Sequence, residues 1–468
     1  MTRSALLLAA TAALTCVPTA AMAQQVDVGA PAPDAPTPDT SAADTRHRPR
    51  TDIHSNRDTS PSALIGNTQS APPPGLIGDW QKIRTRLGEQ GIGLTARYAS
   101  ESGYNFAGGE RKLFRETGQF DVGALLDLDK LVGLQGGAFQ ATITWRRGYD
   151  LTTDAGLNTL QQVQEVYGRG QTVRVTQLWY EQKIGDRVEV KLGRTNPGED
   201  FAVFSCHFQN LSFCGAPPGN LNGDYWYNWP VGQWGARVHV DLPRDFYVQG
   251  AVYEINPRNL DNGFFVAHFE GATGVLIPVE AGWSRGGNDG HVGSYKVGGW
   301  IGTADGDDIL LDVNRRPVPI TGLSPLRRSS RYGVYVSVQQ QLTGTSKDGK
   351  AATGLSMFAN YTQSDRATTL TDNQIALGLF YKGLVPAVPG DVLGVAVART
   401  NVNSRAEQTD RLTGIPARDA EYAAEVYYSI HPADWLELRP NVQWVHQPGG
   451  VRAAKDVGVL GMKAAITL

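Results

Sequence analysis

From Gly91 to Leu468 the chain returns repeatedly to one pattern, a short run in which apolar and polar side chains alternate. A period of two marks an extended strand with one apolar and one polar face, because successive side chains point to opposite sides. In residues 233–242, Trp234, Ala236, Val238, Val240 and Leu242 fall on one face, and Gln233, Arg237, His239 and Asp241 on the other. The run 331–342 sets Tyr332, Val334, Val336 and Val338 against Arg331, Tyr335, Ser337, Gln339 and Gln341; 373–382 does the same through Ile375, Leu377, Leu379 and Tyr381. Sixteen such runs can be marked: 92–104, 118–129, 137–147, 172–184, 187–195, 233–242, 245–255, 273–284, 293–303, 331–342, 354–364, 373–382, 390–401, 420–430, 435–446 and 457–468. Residues 264–270 are a candidate for a further strand and are read as loop. Most runs hold 9 to 13 residues, near the ~9–11 that a tilted strand needs to cross a bilayer.

The connections alternate in length. The odd-numbered ones include 148–171, 196–232, 256–272 and 304–330, whereas Gly185-Asp186, Pro243-Arg244 and His431–Asp434 are tight even-numbered turns. An even strand count with short turns at one end and long loops at the other describes an outer-membrane barrel. Closure also removes the open sheet edges that lipid cannot solvate. A soluble β-rich fold would alternate too, but it would bury its apolar faces inside. Here Arg, Gln, Glu, Asp and Ser recur on the polar faces, which suits a wet lumen. Tyr98, Trp145, Trp179, Tyr180, Trp300, Tyr427, Tyr428, Trp435 and Trp444 lie near run ends, where an interfacial girdle would place them. The final run alternates through Leu460, Met462, Ala464, Ile466 and Leu468, as terminal strands of outer-membrane proteins do, although Leu468 stands where an aromatic residue is usual. The expected fold is all-β: a 16-stranded antiparallel transmembrane β-barrel of the outer membrane with a short N-terminal helix. Asp79 is placed to cap that helix over Trp80 to Leu87.

The N-terminal region agrees with export. Arg3, the apolar run Ala5 to Val17 and the small residues around Ala21-Met22-Ala23 read as a signal peptide over 1–23. Cys16 raises a lipoprotein alternative, but Ala13 and Thr15 fit a lipid-attachment box poorly. Residues 24–74, rich in Ala, Pro, Asp, Ser and Thr, read as a disordered periplasmic linker. The barrel should occupy 75–468. A net charge of -3 offers no basic surplus for nucleic acid.

Several stretches resemble the carbohydrate-selective porins of the OprB type. They are Gly75 to Ile92 (GLIGDWQKIRTRLGEQGI), Lys191 to Phe201 (KLGRTNPGEDF), Phe208 to Asn210, Phe213 to Gly215, Tyr225 to Pro230 (YWYNWP) and Gly271 to Trp283 (GATGVLIPVEAGW). The likeness spans roughly 75–468, with separate motifs in the same order. It implies a 16-stranded barrel in a Gram-negative outer membrane that lets sugars, glucose especially, diffuse into the periplasm. The linker 24–74 is outside the common pattern. A general or anion-preferring porin is the alternative, favoured by clustered lumenal arginines; a barrel enzyme is a more distant one.

Other motifs carry less. Gly282-Trp-Ser-Arg-Gly286 fits G-x-S-x-G, but a turn signal follows where a nucleophile elbow needs a helix. Asp305-Gly-Asp-Asp308 lacks the ligand ladder of an EF-hand. No catalytic residues, metal ligands or cofactor are expected. A sugar path needs aromatic faces and polar groups that exchange with water, and the candidates are Trp145, Arg146, Arg147, Arg194, Trp226 and Trp229. Arg146 shares its face with Gln140, Thr142 and Thr144 and should reach the lumen. Cys206 and Cys214, in the third outer loop (196–232), are expected to form a disulfide in an oxidising compartment. The expected partners are sugars as permeants and outer-membrane lipid; monomer and homo-oligomer both stay open.

Overall fold

The computed structural model describes residues 75–468 apart from 81, 205, 266–268, 288–289, 348–349 and 389. The expected signal segment 1–23 and linker 24–74 lie outside the described residues. Sixteen strands form one closed antiparallel barrel in chain order. They are β1 (Ile92–Ala107), β2 (Phe114–Asp127), β3 (Gly137–Gly148), β4 (Val173–Ile184), β5 (Val188–Thr195), β6 (Gln233–Asp241), β7 (Phe246–Ile255) and β8 (Gly274–Gly287). They continue as β9 (Gly290–Gly302), β10 (Arg331–Gln341), β11 (Gly354–Ser364), β12 (Thr371–Lys382), β13 (Val392–Val402), β14 (Ala420–Ala433), β15 (Leu436–His446) and β16 (Val457–Thr467). β16 closes on β1 with Tyr98 opposite Ile466 and Tyr104 opposite Leu460.

The distribution of side chains is inverted relative to a water-soluble protein. Val238, Val248, Val279, Val297, Val334, Leu379 and Val397 are exposed on the outside, whereas Arg237, Glu280, Lys296, Ser337, Gln374 and Thr400 are buried inside. Exposed apolar faces and buried polar ones are the informative departures, and together they require a lipid-facing exterior. Among the described residues no helix is long and apolar enough to cross a membrane.

Large inward rings lean over glycines on neighbouring strands. A Cβ added at Gly394 would lie 2.1 Å from Tyr427, and one at Gly298 would lie 2.3 Å from Tyr335. The absent side chain lets each ring lie flat against the wall, which narrows the lumen without breaking a ladder.

The expected run boundaries are matched within a few residues, β2 starting earliest relative to expectation at Phe114. The N-terminal helix α1 (Ile83–Glu89) begins later than expected, after Lys82 in a left-handed conformation. Asp79 accepts from the Thr85 amide (2.8 Å) and hydroxyl (2.7 Å), so it satisfies a first-turn donor of the helix, although Lys82 and not Asp79 stands at the N-cap position. The helix region meets the last strand here: the Leu76 amide donates to Thr467 O (2.8 Å), and Arg84 Nη1 to Leu468 O (3.3 Å). Trp179, Trp300 and Tyr427, expected at an interfacial girdle, are buried on the inward face. Their strand parity, not their closeness to a strand end, sets their side. Trp145 and Trp444 do face outward.

The outer loops add structure without a barrel-like period: a hairpin of Gly306–Asp312 with Pro325–Arg328 and a helix Ser404–Thr413. Asp308 joins them, pairing with Arg328 (2.6 Å) and Arg405 and accepting from the Leu310 and Leu311 amides. Burial works to raise the Asp308 carboxyl, but Arg405, Arg328 and the two amides outweigh it and hold it down at about 2. A carboxyl depressed on folding stabilises above its ordinary pKa, and that contribution is lost only as pH falls through the folded value. Proteolytic protection of these loops should therefore persist at about pH 3–4 and fail near pH 2. Asp308→Asn should loosen them at neutral pH as well; equal cleavage rates for variant and parent would refute the clasp.

Candidate constriction of the barrel lumen

Two long loops enter the barrel. The third outer loop, 196–232, leaves β5 and travels along the inner wall. Asp200 binds Lys191 and accepts from Arg237 Nη1 (3.1 Å) and the Tyr253 hydroxyl (2.8 Å). The Ala202 amide donates to Glu280 on β8 (2.9 Å), and Lys296 on β9 donates to Val203 O (2.6 Å). Phe204 packs on Phe358 (4.8 Å) and Phe208 on Tyr427 (4.9 Å). The Gln209 and Asn210 amides then reach Glu425 on β14 at 2.9 and 2.8 Å. The return path packs Trp226 against Trp300 (5.3 Å) and sets Tyr225 under Arg331 (4.1 Å). Apolar burial supplies the adhesion, and the buried carboxylates satisfy loop amides that would otherwise lack partners.

The second outer loop, 149–172, meets the third from the side of the barrel seam. The Leu211 amide donates to Gln162 O (2.9 Å) and the Glu165 amide to Gln209 O (3.0 Å). Lys463 on β16 gathers both loops and both seam strands: it pairs with Glu101 on β1 (2.9 Å) and Glu165 (2.7 Å) and donates to Phe208 O (3.3 Å). The Val166 amide returns to Glu101 (3.0 Å). On the far side Arg169 Nη1 donates to Gly223 O (2.7 Å), so the loops touch twice and form a ring inside the barrel. Nothing in this set resembles a nucleophile beside a base; the groups are anchors and pore lining.

The residues expected on the sugar path divide by parity. Arg146 points inward, donating to Gln119 (2.6 Å) and Gly168 O (3.1 Å). Arg194 is buried, bound to Asn259 Oδ1 at 3.2 and 3.3 Å, but it pairs across the sheet with Leu178 and Trp234 and shares the face of exposed Leu192, not the lumenal face of Lys191. Trp145 and Arg147 are a correction: as odd neighbours of Arg146 they point out of the barrel. Trp145 is exposed there, and Arg147 pairs with Glu116 (3.0 Å). Trp226 is another, since it is wholly buried between loop and wall and offers no face to a solute. Trp229 is half-buried near the loop's return. Reading a cluster as one site ignored the period of two that had identified the strand. Lys463, Glu101, Glu165, Arg169 and Glu425 were missed. For Lys463, Glu101 and Glu425 the signal was a charge within an inward-facing run, visible for Lys463 between Gly461 and Ala465; Glu165 and Arg169 lie in a loop and carried no such signal.

Cys206 and Cys214 are bonded as expected, with Cα atoms 4.3 Å apart. Glu165 lies beside them, but the sulfurs are joined to each other and offer no thiolate to a metal.

Comparison with known proteins agrees with this architecture. The family model described as carbohydrate-selective porin, OprB family, matches residues 111–468. Porin B of Pseudomonas aeruginosa is 42% identical over 411 residues, covering 83% of this chain and 90% of that protein. A putative porin of Acinetobacter baylyi, QuiX, is 32% identical over 415 residues, covering 83% and 91%. The high-pH structure of Pseudomonas putida OprB superposes with a TM-score of 0.81 at 40% identity, covering 85% of this chain and 99% of that one. The chain belongs to the OprB family of carbohydrate-selective porins, and is a passive carbohydrate channel of the Gram-negative outer membrane, not an enzyme.

Proposed function

We propose that the ring made by loops 149–172 and 196–232 is the eyelet, sized for single sugar rings such as glucose. The observation that carries this reading is the double contact between the loops, through Glu165–Gln209 and Arg169–Gly223, inside a wall to which both are tied. Arg146 holds Gly168 O of the second loop from the wall, and Trp229, half-buried, supplies an aromatic face that a sugar ring can exchange for water. Exchange of this kind must stay nearly balanced for a solute to leave as readily as it enters. The exposed aliphatic belt on β6–β13 contacts outer-membrane lipid, and residues 1–23 direct export.

In this reading the disulfide holds the turn of the third loop against Lys463 and Glu165. A cross-link over so short a segment is worth about 2–3 kcal/mol in chain entropy. The double variant Cys206→Ser/Cys214→Ser should assemble normally and admit disaccharides relatively faster than the parent. Liposome swelling with a ladder of glucose, maltose and maltotriose measures this; an unchanged ratio in an assembled variant would remove the disulfide from the eyelet.

A further inference from the structure

Above the end of β5 the barrel wall is incomplete. β5 pairs with β4 only from Leu178 to Ile184, so Val173–Gln177 of β4 have no β5 neighbour. Loop residues fill the space instead, and the Val175 amide donates to Phe264 O (2.7 Å). Four arginines gather in and beside this gap: Arg146, Arg169, Arg174 and Arg194. All their hydrogen-bond partners are neutral. Arg146 binds Gln119 and the Tyr167 and Gly168 carbonyls; Arg169 binds Gly223 O. Arg174 binds Arg169 O (2.6 Å) and Asn259 O (3.3 Å), while Arg194 binds the Asn259 side chain. Among the described residues none of the four has a carboxylate oxygen within 4.0 Å. Other lumenal acids are committed elsewhere, Glu101 and Glu165 to Lys463, Asp200 and Glu181 to Arg237. Glu254, beside Arg194, accepts from Asn259 Nδ2 (3.0 Å) and the Trp234 amide (3.3 Å) through Oε1; its Oε2, without a partner among the described residues, is the counter-charge to Arg194, and Arg174 is left without one.

A second observation is independent of charge. Arg174 is 5% exposed and Arg194 2%, yet Nε of each has no hydrogen-bond partner among the described residues. The Thr176 hydroxyl and both amide atoms of Asn196 are buried without partners in the same region. Gly232 packs directly against these groups: a Cβ there would lie 3.2 Å from Arg194 Nε and 2.5 Å from Thr176 O. Buried guanidinium groups without a counter-charge are costly, and unpartnered buried donors call for an acceptor. Buried water would serve the donors but leave the charge.

We propose that the gap above β5 binds a small anion, held by Arg174 and Arg194 between the wall and the loops. Its chemistry is a compact negative charge, supplied either by a free halide or by the carboxylate of an acidic sugar in transit. The site does not depend on the neutral-sugar reading of the eyelet. Crystals of the full protein soaked in sodium bromide, with data collected at the bromine edge, test it directly. An anomalous peak beside Arg174 and Arg194 is expected, and it should vanish in Arg194→Gln. Glucuronate added to the soak separates the sources: a persisting peak assigns an enclosed halide, and a displaced peak assigns the sugar carboxylate. No bromide peak at the site in the unmodified protein overturns the proposal, whatever the variant's folding.

Discussion

Replacing Lys463 with methionine is expected to enlarge the aperture of the assembled barrel. Lys463 joins β16 to β1 and to both inward loops, through Glu101, Glu165 and Phe208 O. All three ion-pair members are nearly inaccessible, so removing the cation leaves two carboxylates facing each other in a poorly solvated site. Breaking a buried pair from one side costs about 3–5 kcal/mol. That cost can fall by protonation of one carboxyl or by loop withdrawal into water. The barrel itself has sixteen ladders to hold it, so the loops are the part that gives way. Disaccharide flux relative to glucose should rise, with heat-modifiable migration unchanged. Lys463→Arg should recover part of the discrimination, as the charge is kept and the reach differs. Unchanged discrimination in an assembled Lys463→Met barrel would contradict the anchoring role.

The second large effect is expected at the opposite end of the third loop. Asp200→Ala removes the carboxylate that Lys191 and Arg237 share and that the Tyr253 hydroxyl also donates to. Arg237 retains Glu181 at 2.8 Å, but Lys191 loses its ion-pair partner in a buried setting. A loss of about 3–5 kcal/mol follows from stranding a buried charge, concentrated where the loop leaves β5. Asp200→Asn keeps the shape and one acceptor, so it should cost less. Hydrogen exchange of the 196–204 backbone amides reads this locally. Protection equal to the parent in Asp200→Ala would show that aromatic packing alone seats the loop.

Much of the fold was legible because a membrane barrel writes itself into every strand. Val334, Val336 and Val338 alternate with Tyr335 and Ser337 for a physical reason, lipid on one side and water on the other. The same rule, applied residue by residue, would have sent Trp145 and Arg147 outward when Arg146 was placed inside. The disulfide was legible from compartment and cysteine count. The anchors were not, because Lys463 and Glu101 are distant in sequence and meet only when the barrel closes. Glu165 and Gln209 likewise meet only after two loops fold inward. Asp308, set aside in the sequence because its motif lacks an EF-hand ladder, is a clasp because Arg328 and Arg405 arrive from different connections.

Solute selectivity of the unmodified protein tests the account most directly. Purified full-length protein in liposomes should give fast swelling with glucose, much slower swelling with disaccharides, and slower swelling with neutral amino acids smaller than glucose. Rates that follow solute size alone, with small amino acids entering fastest, would contradict a carbohydrate-selective eyelet.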